Sequence, residues 1–235
     1  IASAKNFKVD IFEAKIDTLA IQGPKSTKIM EKVFGKEIND LKFFKFNYFT
    51  FKDKKYLISR SGFSKQGGFE IHTDNIAGAL ELYDYFFKIG NDYNLKPGTP
   101  NHPERIESGL LSYGSDMDIN DNPFECGFAR YVDLESDIVF LGKENLKKIK
   151  QRGIKRELMG VKINFKSVSI SEEIPIFDLD NKEIGKLRSA AYSPKFKKVI
   201  GIAMMLKNKC KISQKFKIKL NGDYASGEIC TLPIK

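Results

Sequence analysis

The run Arg60-Ser61-Gly62-Phe63-Ser64-Lys65-Gln66-Gly67-Gly68-Phe69-Glu70-Ile71 leaves one strand, crosses a glycine-bearing loop and enters a second strand. Tyr56–Arg60 has strand composition, Gly62 to Gly68 reads as a loop, and Gly68–His72 alternates again. On that second strand Glu70 points away from Phe69 and Ile71. One face can therefore pack into a core while the other carries a carboxylate. His72, two residues on, shares the face of Glu70.

Working outward, Asp17 to Gln22 reads as a strand broken by Gly23-Pro24. Pro24 to Phe34 then reads as a helix with Ile29, Met30 and Val33 on one face, stopped by Gly35. A strand over Phe43–Phe51 is followed by a Lys52–Lys55 turn. Ile76 to Ile89 reads as an amphipathic helix, with Leu80, Tyr83, Phe86 and Phe87 predicted to face the core. A short helix should begin near Pro103, Asp116 to Pro123 is an acidic loop, and Glu144 to Arg152 is a basic helix ended by Gly153. From Leu158 the pattern changes to alternation, through Val161, Ile163 and Phe165, then Val168 and Ile170, then Phe216, Ile218 and Leu220. The fold class is α+β, with a mixed region over 1–153 and a small β-barrel or sandwich over 154–235.

Composition narrows the function. At 235 residues, 41% hydrophobic and 30% charged, the chain is globular material rather than a disordered one. No stretch approaches the ~18 consecutive apolar residues of a membrane span. Cys126, Cys210 and Cys230 have no metal-ligand spacing around them and cannot all pair, so no metal is assigned and a reducing cytoplasm is the expected setting. The net charge of +10 is uneven. Residues 1–140 hold 18 Lys and Arg against 21 Asp and Glu, whereas 141–235 hold 22 against 9. The excess is lysine set singly along alternating segments, as at Lys215, Lys217 and Lys219, without an aromatic ladder for stacking bases. That pattern points to a solvated strand face and not to a nucleic-acid groove.

Taken together, the motifs resemble those of a known family. Arg60–Ile71 is similar to the RTGYTGEDGFEI signature of the glycine-cleavage T-protein (aminomethyltransferase) family. Leu19-Ala20-Ile21-Gln22-Gly23-Pro24 resembles its LxxQGP element, and Arg105-Ile106-Glu107-Ser108-Gly109 with Tyr113-Gly114-Ser115-Asp116 resembles RLEAG and YGND. Pro123–Phe128, Val132-Asp133-Leu134 and Phe140–Lys143 continue the register, and Ser189–Pro194 resembles the SGxxSP turn of the C-terminal barrel. Ser64–Ile71 and Gly98–Gly114 look most like the tetrahydrofolate-dependent dimethylsulfoniopropionate demethylases.

The resemblance implies a folate-binding α/β region followed by a β-barrel, tetrahydrofolate as cofactor and a small-molecule methyl donor. The alternatives it leaves are an aminomethyltransferase working with a lipoyl carrier protein, and a non-catalytic folate binder. It implies that Glu70 holds the pterin edge and that Phe63 lies beside the ring system, with core burial the alternative for Phe63. Phe43 lines the same pocket or belongs to the core. Asn101 falls where the glycine-cleavage branch has a folate-site Arg, and His72 and Lys65 are candidates for substrate contact. Two positions depart from the demethylase pattern: Phe63, where an aromatic (often Trp) stands, and His72, where Tyr stands. Arg105 and Glu107 read as a structural ion pair or helix-end network. No catalytic side chain is assigned. The family's Asp near the folate N5 belongs to an N-terminal part that has no match upstream of Leu19, so the sequence looks like the C-terminal portion of a longer enzyme, and weak or absent turnover is expected of this stretch alone.

Overall fold

A computed structural model describes residues 8–235, and two compact units divide the chain after Thr99. In the first unit the strands Asp17–Gln22 (β1), Phe46–Phe51 (β2), Lys54–Ser59 (β3) and Gly68–Thr73 (β4) form an antiparallel sheet in the order β1-β4-β3-β2. The helices Ser26–Phe34 (α1) and Ile76–Gly90 (α2) belong to the same core. Alternation explains the sheet. Ile21, Phe49, Phe51, Tyr56, Ile58, Phe69 and Ile71 pack inward against Ile29, Met30, Phe34, Leu82 and Phe86. Burying a side chain such as Phe69 or Phe86 stabilises by roughly 1.5–3 kcal/mol. The intervening residues, among them Thr18, Phe46, Tyr48, Ser59, Glu70 and His72, lie on the opposite, open face.

Helix α2 corrects one expectation. Its buried face runs through Gly78, Leu82, Phe86 and Gly90, while Leu80 is exposed and Tyr83 stacks on Phe87 at 4.7 Å instead of joining the core. The helix is apolar on two stripes, and only the one through Leu82 and Phe86 is buried against the sheet. The Asn75 side chain accepts from the Gly78 N–H at 3.0 Å and fixes the first turn.

In the second unit, His102–Glu107 (α3) and Lys143–Arg152 (α4) precede a closed six-stranded barrel. Its strands are Arg156–Ile163 (β5), Ile174–Phe177 (β6), Glu183–Ser193 (β7), Lys198–Leu206 (β8), Lys215–Leu220 (β9) and Asp223–Cys230 (β10), in the order β10-β5-β8-β7-β6-β9. Phe216, Ile218 and Leu220 are fully buried while Lys215 and Lys219 on the same strand are exposed, so the lysine excess sits on the solvated side of β9. Val168 and Ile170 form no strand. β6 already pairs with both β7 and β9, which leaves no open edge, and the two residues pack as a loop against the barrel core. The packing division falls at Thr99 because α3 belongs with the barrel: Ile106 is buried among Ala191, Ile200 and Ile202. All three cysteines are buried thiols, pushed up to about 11 by burial. Among the described residues, no helix is long and apolar enough to cross a membrane.

An ionic network ties the loop before α4 to the barrel. Asp121 pairs with Arg188 and with Arg156, which also holds Glu125 at 3.0 Å. Burial alone raises the Asp121 carboxyl, but the bonds from Arg188 and the Asp118 N–H and the charges of Arg188 and Arg156 outweigh it and hold it below the usual carboxylate range. A depressed folded-state value gives stability that is complete above about pH 4 and lost as pH falls through the lower folded value. Urea unfolding is expected to show an acid-range loss that is smaller in Asp121→Asn. Identical pH slopes in the two proteins would remove this contribution.

Candidate functional site

The loop Ser61–Gly67 is built around one upstream side chain. Gln22, at the end of β1, donates from Nε2 to Ser61 O at 3.0 Å and to Phe69 O at 3.2 Å, and its Oε1 accepts from Ser64 Oγ at 2.7 Å. Two glycines make room for it. At Gly62 (φ +156°) a Cβ would sit 2.0 Å from Gln22 Oε1, and at Gly68 (φ +153°) 2.4 Å from Ile21 O. Gly62 and Gly68 thus form a cradle for the Gln22 amide, whereas a Cβ at Gly67 would meet nothing within 4 Å. Gln22→Ala removes the side-chain donor to Ser61 O and Phe69 O and the acceptor for Ser64 Oγ, and is expected to cost about 1–3 kcal/mol, read as a lowered urea midpoint. An unchanged midpoint would show that the loop holds itself.

Arg60 secures the other flank. Its Nη1 donates to Leu41 O at 2.9 Å, and its guanidinium lies over the Phe69 ring at 5.3 Å. Its carbonyl accepts from Phe44 N at 3.0 Å, which brings the Phe43-Phe44 pair alongside the end of β3. Phe43 is 64% exposed and stacks on Phe44 at 4.2 Å, so the core alternative for it is excluded. Phe63 is 38% exposed in the loop and is not core either. Lys65 is exposed on the same loop in a left-handed conformation.

Glu70 stands half-buried in β4, opposite Ser59 of β3 and Ala20 of β1. Ser61 Oγ donates to its Oε2, while its Oε1 has no side-chain partner among the described residues. Ser61 Oγ is 2.7 Å from Ser59 Oγ, Ser59 Oγ is 3.2 Å from His72 Nε2, and His72 Nδ1 is 3.1 Å from Thr18 Oγ1. Glu70, His72, Phe63, Lys65 and Phe43 therefore belong to one unit, the first four on β4 and the loop that leads into it. Asn101 belongs to the second unit, where its side chain accepts from Glu104 N at 3.2 Å as the N-cap of α3. Sequence reasoning missed Ser59, Ser61 and Gln22 as parts of the site. The usable signal for Gln22 was a long polar side chain placed at a strand end just before Gly-Pro.

The second unit holds a concavity of about 400 Å³ lined by His102, Ser169, Ser171, Glu173, Arg188 and Ser189. Arg188 is engaged there by Asp121 and Glu173, and burial together with the Arg105 charge holds His102 below its usual range.

Comparison with known proteins covers most of the chain. The GCVT N-terminal domain matches residues 2–136, and the glycine cleavage T-protein C-terminal barrel domain matches residues 156–234. The dimethylsulfoniopropionate demethylase of Ruegeria pomeroyi is 35% identical over 205 residues, 87% of this chain and 56% of that protein. The aminomethyltransferase of Caldanaerobacter subterraneus subsp. tengcongensis is 34% identical over 85% of this chain and 54% of its own length. In fold, the crystal structure of glycine cleavage system aminomethyltransferase T from Bartonella henselae matches with a TM-score of 0.85 at 22% identity, covering 99% of this chain and 63% of that one. The chain spans about half the length of the curated relatives it matches.

Proposed function

Because the chain belongs to the glycine cleavage T-protein family, we propose that it forms part of a tetrahydrofolate-dependent one-carbon transferase whose donor is dimethylsulfoniopropionate or a similar methylated compound. Glu70 carries this reading, as a half-buried carboxylate on an open sheet face with one oxygen held by Ser61 and the other without a side-chain partner among the described residues. That donor-free edge suits a pterin, whose N3–H and 2-amino group lie side by side and need an anionic acceptor. Phe63 and Phe43 offer exposed aromatic surface in the same unit. Asn101 stands where the folate-site Arg of the glycine-cleavage branch stands. Lys65 is an exposed cation suited to a carboxylate, and His72 borders the donor side. Residues 1–153 are assigned to the folate-binding region and 154–235 to the barrel domain. Three free cysteines without a disulfide suit a reducing cytoplasm.

Tetrahydrofolate supplies N5 as the nitrogen that accepts the methyl group. A sulfonium donor leaves as a neutral thioether, so the protein's task is alignment and exclusion of water, with no nucleophilic side chain. The 35% identity to a demethylase supports the methyl reading. Identities of 34% and 32% to aminomethyltransferases support a second one, an aminomethyl donor on a lipoyl carrier partner. Incubating the full-length protein with tetrahydrofolate and each donor separates them. Sulfonium-dependent 5-methyltetrahydrofolate is expected; 5,10-methylenetetrahydrofolate formed only with a lipoyl carrier selects the alternative, and neither product leaves a non-catalytic folate binder.

A further inference from the structure

Hydrogen-bond bookkeeping on the open sheet face fixes more than the position of Glu70. An ionised carboxylate only accepts, so the single Ser61 hydroxyl hydrogen is committed to Glu70 Oε2. Ser61 Oγ must then accept from Ser59 Oγ at 2.7 Å. The other acceptor open to Ser59, Glu70 O, is at 3.5 Å, and choosing it would leave two oxygens lone pair to lone pair at the shorter distance. With its hydrogen spent, Ser59 can only accept from His72, which must carry its proton on Nε2. Thr18 Oγ1–H then donates to the bare His72 Nδ1 at 3.1 Å.

We infer that His72, Ser59 and Ser61 form a one-directional hydroxyl relay that positions the Glu70 carboxylate and is itself oriented by the Glu70 charge. As a positioning device it rests on the folate reading above; as a relay it does not. Its function is to hold Oε2 by a donor that cannot turn away, which leaves Oε1 presented. Four strands contribute to the surrounding face. The other charged or titratable groups that alternation puts on it are Glu70 beside His72 on β4, Lys55 on β3 and Tyr48 on β2, with none on β1. Between His72 and the Glu70 carboxylate the line runs only through the two neutral serine hydroxyls. Both the Nε2–H neutral ring and the imidazolium fit the relay, and only the Nδ1–H tautomer breaks it.

The chain has two histidines, so His72 is assignable in nitrogen-15 NMR of the full chain by comparison with His72→Gln. At alkaline pH the native protein is expected to show His72 as the Nε2–H tautomer alone. Ser61→Ala should admit an Nδ1–H fraction, because Ser59 is then free to donate to the ring, and Ser61→Thr, which keeps the hydroxyl, should restore the native pattern. An Nδ1–H ring in the native protein, or a Ser61→Ala spectrum identical to it, overturns the relay. Tetrahydrofolate titrations of the same proteins separate the two readings. Ser61→Ala is expected to weaken binding about five- to tenfold, with rescue by Ser61→Thr. Folate binding that depends on Glu70 but is indifferent to Ser61 overturns the positioning role alone. An intact relay in a full-length protein that binds no folate overturns the folate reading alone.

Discussion

Glu70→Gln is expected to lower tetrahydrofolate affinity of the full-length protein by about one to two orders of magnitude, the loss of one charge-assisted pair worth roughly 1.5–3 kcal/mol. The substitution conserves volume and keeps one acceptor oxygen, so the strand and its packing are unaffected. What changes is charge, and the replacement of one acceptor by an amide that donates toward a donor edge. The effect is concentrated at Glu70 because the carboxylate is half-buried and has no basic partner among the described residues. Its interaction with a bound ligand is therefore not already spent on an internal ion pair. Isothermal titration measures it directly, with the backbone amide spectrum as the check on folding. Unchanged affinity would remove Glu70 from the site and with it the principal support for a folate reading.

The contrast between Glu70 and Gln22 shows what a sequence discloses here and what it withholds. The facing of Glu70 was legible because a period of two puts it opposite Phe69 and Ile71, and both are fully buried in the structure, whereas its assignment to a site came from the family resemblance. The strand Asp17–Gln22 was legible to the residue for the same reason. Gln22 carried only a weak local signal, its place at a strand end before Gly-Pro, since its partners Ser61, Ser64 and Phe69 lie some forty residues downstream and meet it only through the β1–β4 register. Ser59 and Ser61 were likewise invisible. A serine in a loop is uninformative until pairing sets Ser59 opposite Glu70. Helix α2 failed differently. Its sequence is apolar on two stripes, and periodicity cannot choose between Leu80–Tyr83 and Leu82–Phe86 without the sheet beneath. Local pattern thus gave the elements and one acidic side chain, whereas the polar network around that side chain depends on long-range register.

The Arg105–Asp116 pair gives the largest expected effect on stability. Arg105 is 6% exposed and Asp116 fully buried, at 2.7 Å from each other. The guanidinium also donates to Ser189 Oγ at 3.0 Å, Leu110 O at 3.2 Å and His102 Nδ1 at 3.2 Å, and Asp116 Oδ2 accepts a second bond from Ser112 N at 2.6 Å. The sequence suggested Glu107 as a partner for Arg105. Instead Glu107 accepts from Ser193 Oγ, so the two side chains make separate ties from α3 to the barrel. Arg105→Met keeps most of the volume but leaves a buried carboxylate uncompensated, and is expected to cost about 3–5 kcal/mol. Arg105→Met with Asp116→Leu removes both charges and should recover much of that loss, because desolvation offsets most of a buried pair's attraction. Losses that simply add in the double variant would mean that the pair is not coupled. His102 supplies an independent readout. Burial first, and the Arg105 charge second, hold its ring below the usual histidine range. Removing the guanidinium should therefore move its titration upward, toward the ordinary value, in the same variant that loses stability. A stability loss without that movement would trace the effect to packing alone and dismiss the electrostatic account of this cluster.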